Sequence, residues 1–119
     1  MKMIIQKINT PISNSYDMAY KYFSILSVLN SLELVKRDLQ LLSFAAAQQK
    51  DVSEVKEEFV EKFSTSMATV GNIISKLYKL NVLEKHKRVV KINPMLMIDF
   101  NSDIGLGIKL IHNNETAKS

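Results

Sequence analysis

The chain contains no cysteine, which excludes disulfides, thiolate zinc sites and cysteine nucleophiles together. It has two histidines, His86 and His112, and neither has a second ligand at a metal spacing such as HExxH; both read as surface residues. No apolar run reaches the roughly 18 residues of a membrane span. The stretch Met1 to Lys7 has one interior lysine but too little apolar length for a signal peptide. Glycine is scarce, and Gly105-x-Gly107 lacks the third glycine and following helix of a dinucleotide fingerprint. No serine has a histidine placed as an evident base. Glu57, Glu58 and Glu61 fit the solvent face of an amphipathic helix better than an acid–base pair. These absences predict a protein that is not an enzyme, has no cofactor or metal, and resides in the cytoplasm or inside a virion.

What is present is an ordinary globular composition. The 119 residues are 46% hydrophobic and 24% charged, enough for one domain with a small core. Net charge is +4, mild enough to permit a nucleic-acid partner without requiring one. Its distribution is uneven. Residues 51–63 carry Asp51, Glu54, Glu57, Glu58 and Glu61 against two lysines. Residues 64–93 carry Lys76, Lys79, Lys85, Lys87, Arg88 and Lys91 against Glu84 alone. A basic surface is therefore expected within 64–93.

Residues 3–8 read as a short strand or extended arm, broken at Thr10-Pro11. Asn14 or Ser15 can cap a helix over about 16–32, with Asp17 favourable in its first turn. Tyr16, Tyr20, Phe23, Ile25, Leu26 and Leu29 make that helix so apolar that burial on more than one side is expected, either centrally or against a second subunit. A second helix covers about 34–49, with Val35, Leu39, Leu42 and Ala46 in register and an alanine run at 45–47. A third begins near Asp51, where Asp51-Val52-Ser53-Glu54 resembles a capping box. Its stripe is Val52, Val55, Phe59 and Phe63, and it stops at Ser64-Thr65-Ser66. A fourth runs from the N-cap Ser66 to Leu80. Val70, Ile73, Ile74, Leu77 and Leu80 form its dry face; Thr69, Asn72, Lys76 and Lys79 form a polar stripe beside it. Asn81 stands where a left-handed residue is wanted. Two strands follow, Val82 to Lys85 and Val89 to Asn93, around the basic turn His86-Lys87-Arg88. The alternation from Ile104 to Ile111 favours a further strand that could pair with the N-terminal one, and residues 113–119 form a polar tail.

Two helices joined by a Ser-rich turn and followed by a hairpin resemble a winged helix-turn-helix. The resemblance is carried by Phe63-Ser64-Thr65-Ser66-Met67-Ala68-Thr69-Val70 and by Ile73 through Lys85, and covers about 34–93. The whole chain, with Leu34 to Ala47 before the motif and Lys91-Ile92-Asn93-Pro94 after it, also resembles small winged-helix proteins encoded by tailed bacteriophages. The motif departs from the family where Ser64 and Asn81 stand in place of frequent glycines; both are tolerable in turns. The implied fold is α+β and mainly helical: an N-terminal arm 1–13, a domain 14–112 with the helix-turn-helix at 51–80 and the wing at 82–93, and short flanking strands.

The resemblance implies DNA-binding roles. Ser66 would cap the recognition helix with its amides toward a phosphate. Thr69, Asn72 and Lys76 would face the major groove, Lys79 a backbone phosphate, and Lys85, His86, Lys87 and Arg88 would form the wing. The acidic third helix and the shortage of arginine favour weak or poorly selective binding to double-stranded DNA. A homodimer through residues 16–32 would present two recognition helices, as in a phage or mobile-element transcription or replication factor in the host cytoplasm. The alternative is a virion structural protein, such as a head–tail ring subunit, in which the basic wing meets a neighbour's acidic third helix.

Overall fold

A computed structural model of the chain describes residues 14–97. The expected N-terminal arm and its strand at 3–8, the strand at 104–111 and the tail 113–119 lie outside the described residues. Four helices are followed by a hairpin: α1 (Ser15–Leu29), α2 (Lys36–Gln48), α3 (Val52–Lys62), α4 (Met67–Lys79), β1 (Leu83–His86) and β2 (Val89–Ile92). A single 3-10 turn, Pro94–Leu96, follows β2. The described part is α+β and mostly helical, with a two-stranded antiparallel sheet.

The helix ends follow local chemistry. Asn14 caps α1, its side-chain oxygen accepting the Asp17 amide at 2.8 Å. Ser66 caps α4 in the same way, accepting the Thr69 amide at 3.1 Å. All four helices stop through one device, a left-handed residue that is never glycine: Ser31 (φ 52°), Gln49 (φ 55°), Ser64 (φ 50°) and Asn81 (φ 62°). The next amide reaches back to a carbonyl in the last turn, Leu32 to Ser27, Lys50 to Ala45, Thr65 to Val60 and Val82 to Leu77, at 2.9–3.1 Å. Ser64 and Asn81 thus occupy the left-handed positions where glycine is usual.

The capping box expected at Asp51 does not form. Asp51 is the N-cap of α3, but its side chain makes no cap bond. Ser53, inside that stretch, is drawn away to the hairpin instead. Its hydroxyl accepts the Val90 amide at 3.1 Å and lies 3.5 Å from the Val90 carbonyl. The carboxylate that does reach back belongs to α2, where Asp38 Oδ2 accepts the Val35 amide at 2.9 Å.

The central helix is α2, not α1. In α2, Asp38, Leu39 and the run from Leu41 to Ala46 are buried, so nearly its whole circumference is enclosed. The alanines let α1, α3 and α4 approach it. In α1 only Ala19, Phe23 and Ser27 are buried, a narrow stripe against α2. Its far side leaves Ile25, Val28 and Leu29 exposed, Val28 by 79%. The apolar content of α1 is thus not accounted for by the core. Its aromatic residues do belong there: Tyr16 packs on Phe63 at 6.3 Å, and Phe63 stacks on Phe59 at 4.6 Å and meets Phe44 at 5.6 Å. The hairpin pairs Leu83 with Ile92, Glu84 with Lys91, Lys85 with Val90 and His86 with Val89. Leu83, Val90 and Ile92 face inward, β1 against α4 and β2 against α3.

Candidate functional site

The α3–α4 turn, α4 and the hairpin carry every residue that the sequence singles out. The α4 face at Val70, Ile73 and Leu77 is buried. The face turned to solvent is Met67, Ala68, Gly71, Asn72, Ser75, Tyr78 and Lys79. It is small only at Ala68 and Gly71, where a Cβ added to Gly71 would meet nothing within 4 Å, and is larger at Met67 before them and at Tyr78 and Lys79 after them.

The expected polar stripe of α4 divides. Thr69 is half-buried, and its hydroxyl lies 2.9 Å from that of Ser66, within the helix cap. Asn72 and Lys79 are exposed and point outward. Lys76 turns aside to α2: its ammonium sits 2.6 Å from Asp38 Oδ2 and 3.4 Å from the Glu33 carbonyl. The side-chain exposures are 39% for Lys76 and 2% for Asp38. An open cleft of about 600 Å³ runs beside this pair, between Leu32 and Glu33 on the α1–α2 connection and Asn72, Ser75 and Lys79 on α4.

The hairpin gathers the remaining cations. Lys87 and Arg88 alone make the turn, with Lys87 left-handed at φ 59°, and both are exposed. His86 belongs to β1 rather than to the turn, and its Nε2 lies 3.3 Å from Glu84 Oε2 on the same strand face. Glu84 also stands opposite Lys91 in the register, so the outer hairpin face is largely neutralised. Lys85 is on the inner face and reaches toward α4, its ammonium 6.0 Å from the centre of the Tyr78 ring. The site therefore joins Asn72, Tyr78 and Lys79 of α4 to Lys85, Lys87 and Arg88 of the hairpin, and leaves Lys76 engaged elsewhere.

On α3 the exposed residues are Glu54, Glu57, Glu58, Glu61 and Lys62, the carboxylates lying about half a turn from the buried stripe. These carboxylates point away from the core, as expected of a solvent face. Among the described residues no group of histidine and carboxylate side chains could hold a metal ion, and no helix is long and apolar enough to cross a membrane.

Asp38 and Tyr78 are not singled out by the sequence reading, and Ser53 is read only as part of a capping box. Asp38 had a local signal, a carboxylate three residues after the N-cap position of α2. Ser53 and Tyr78 had none, because their partners, Val90 and Lys85, lie on a different element. No known protein family, curated protein or solved structure matches the chain.

Proposed function

We propose that the chain is a winged-helix protein that binds double-stranded DNA with modest sequence selectivity, as a regulator or replication factor of a phage or mobile element. The observation that carries this reading is the outward face of α4. Small residues at Ala68 and Gly71 would admit a groove wall, Asn72 offers the donor and acceptor that pair with adenine, and a cationic hairpin adjoins its end. The order α2, α3, α4, hairpin supports the fold assignment, with a tight left-handed turn at Ser64 between α3 and α4.

In this reading α4 is the recognition helix and the hairpin is the wing. The capped N-terminus of α4 at Ser66 supplies amides for a phosphate. Lys79, Lys85, Lys87 and Arg88 hold the backbone, and Asn72 reads a base edge. His86 faces Glu84 across the same strand face rather than the groove. The exposed Ile25, Val28 and Leu29 of α1 support dimerisation through that helix, which would present two recognition helices to successive turns of the groove.

A second reading is favoured by the acidic stripe Glu54, Glu57, Glu58 and Glu61. It complements the wing of another copy and would suit a virion ring subunit. The variant K87A/R88A separates the two. DNA binding predicts weaker affinity, with the slope of log K against log salt reduced by about 1.8 per protomer. Ring assembly predicts loss of high-mass species in sedimentation and no DNA binding to lose.

A further inference from the structure

We propose that Lys76 and Asp38 form a positioning pair that sets the recognition helix against the centre of the fold, and that Lys76 makes no contact with phosphate or base. The inference rests on the DNA-binding reading above. Helical spacing alone places Lys76 in line with Asn72 and Lys79, as one more groove-facing cation. The structure gives its charge another destination. Asp38 is almost fully buried, at 2% exposure, and its Oδ2 has two partners: the Val35 amide at 2.9 Å and the Lys76 ammonium at 2.6 Å. A buried carboxylate without a cation is strongly disfavoured. A phosphate that drew Lys76 outward would leave that carboxylate beside a single amide. The ammonium is further held toward the Glu33 carbonyl, in a connection whose backbone is left-handed at both Ser31 and Glu33.

The consequence is geometric as well as electrostatic. Val35 is the N-cap of α2, so one carboxylate oxygen joins the start of α2 to the last turns of α4. Direct packing between these two helices is slight compared with that of α1 on α2. The pair therefore fixes the pitch of α4 at the end that carries Tyr78, Lys79 and the wing. Lys79 is left as the one cation of α4 that faces solvent without an acidic partner among the described residues.

Four variants test this: K76M, K76R, K79A and the double variant D38N/K76M, which removes the cation without leaving a buried charge. Each is melted without DNA and titrated by fluorescence anisotropy on a labelled random duplex, at several salt concentrations and at a temperature where circular dichroism shows it folded. K76M is expected to lose about 10 °C or more in melting temperature, and K76R and the double variant to recover most of it. K79A should melt as the wild type and flatten the salt slope by about 0.9 per protomer, the loss of one phosphate contact from each. The double variant should keep the wild-type slope while binding about five- to tenfold more weakly at every salt concentration, the mark of a tilted helix rather than a lost contact. K76R should bind as the wild type. A double variant whose slope falls as that of K79A does, or one whose affinity is unchanged, overturns the proposal, as does a K76M that melts with the wild type. If the wild-type chain binds no DNA, the functional reading fails and the proposed positioning for DNA fails with it; the melting series still decides whether the pair holds α4.

Discussion

Replacing Ser64 by glycine should stabilise the protein. Ser64 sits at φ 50° in the turn between α3 and α4, exposed, with the following Thr65 amide already bonded to the Val60 carbonyl at 3.1 Å. A left-handed L-residue costs about 1–2 kcal/mol, because its Cβ crowds the neighbouring carbonyl. Glycine avoids that crowding but loses about 0.5–1 kcal/mol more backbone entropy on folding. The difference predicts a net gain of about 0.5–1 kcal/mol for S64G, a rise of roughly 3–6 °C in melting temperature. S64V should move the other way by at least about 1 kcal/mol, since a β-branched residue fits this region worst. N81G at φ 62° should change little, because asparagine already tolerates the conformation. Urea unfolding followed by far-UV circular dichroism measures all three. An S64G variant no more stable than the wild type, or an S64V variant that is neutral, would refute the turn geometry on which the helix-turn-helix reading rests.

Three further outcomes follow from particular contacts. Gly71 lies within α4 with open space where a Cβ would stand, so G71A should gain about 0.5–1 kcal/mol in urea unfolding. The same methyl group stands on the face proposed to enter the groove and should weaken DNA binding about fivefold or more by anisotropy; a variant that gains stability without losing affinity would place DNA elsewhere. S53A should cost about 1–2 kcal/mol and speed hydrogen exchange at the Val90 amide, whose acceptor it removes. Burial, with smaller contributions from neighbouring Tyr20 and Asp17, raises the Tyr16 pKa above the ordinary 10. The unfolded chain then releases this proton first, so stability should fall as pH rises above about 10 and level off only beyond the folded-state value. Y16F should flatten that decline in a pH series of urea midpoints; an unchanged series would mean that the Tyr16 hydroxyl is not desolvated by folding.

Much of the local architecture was legible in the residues because its causes are local. Asn14 and Ser66 announce helix starts through short side chains that bond amides three residues on. Asn81 announces a stop because asparagine accepts a left-handed backbone. Gln49 and Ser31 stop α2 and α1 in the same way without such preference, and α1 accordingly ends earlier than its apolar pattern suggests. Placement in three dimensions was less legible. The apolar content of α1 exceeds that of α2, yet α2 is central, because the alanine run lets three helices close around it while α1 has only one broad neighbour. Lys76 lies on the polar stripe by periodicity, but its direction is set by Asp38, 38 residues away in sequence. Ser53 belongs by spacing to a helix start and in fact ties α3 to the hairpin. Periodicity assigns a residue to a helix face, and only the neighbouring element decides whether that face is free to act.

The central claim, that α4 and the wing grip DNA, is tested most directly by titrating the purified wild-type chain against a labelled random duplex at about 50 and 200 mM salt. With Lys79, Lys85, Lys87 and Arg88 on the backbone, four contacts give a slope near −3.6 for each protomer bound, so affinity should fall by about a hundredfold per protomer between the two conditions. Micromolar or tighter binding at the lower salt with that dependence is the predicted result. No binding at the lower salt, or binding that ignores salt, would contradict the account.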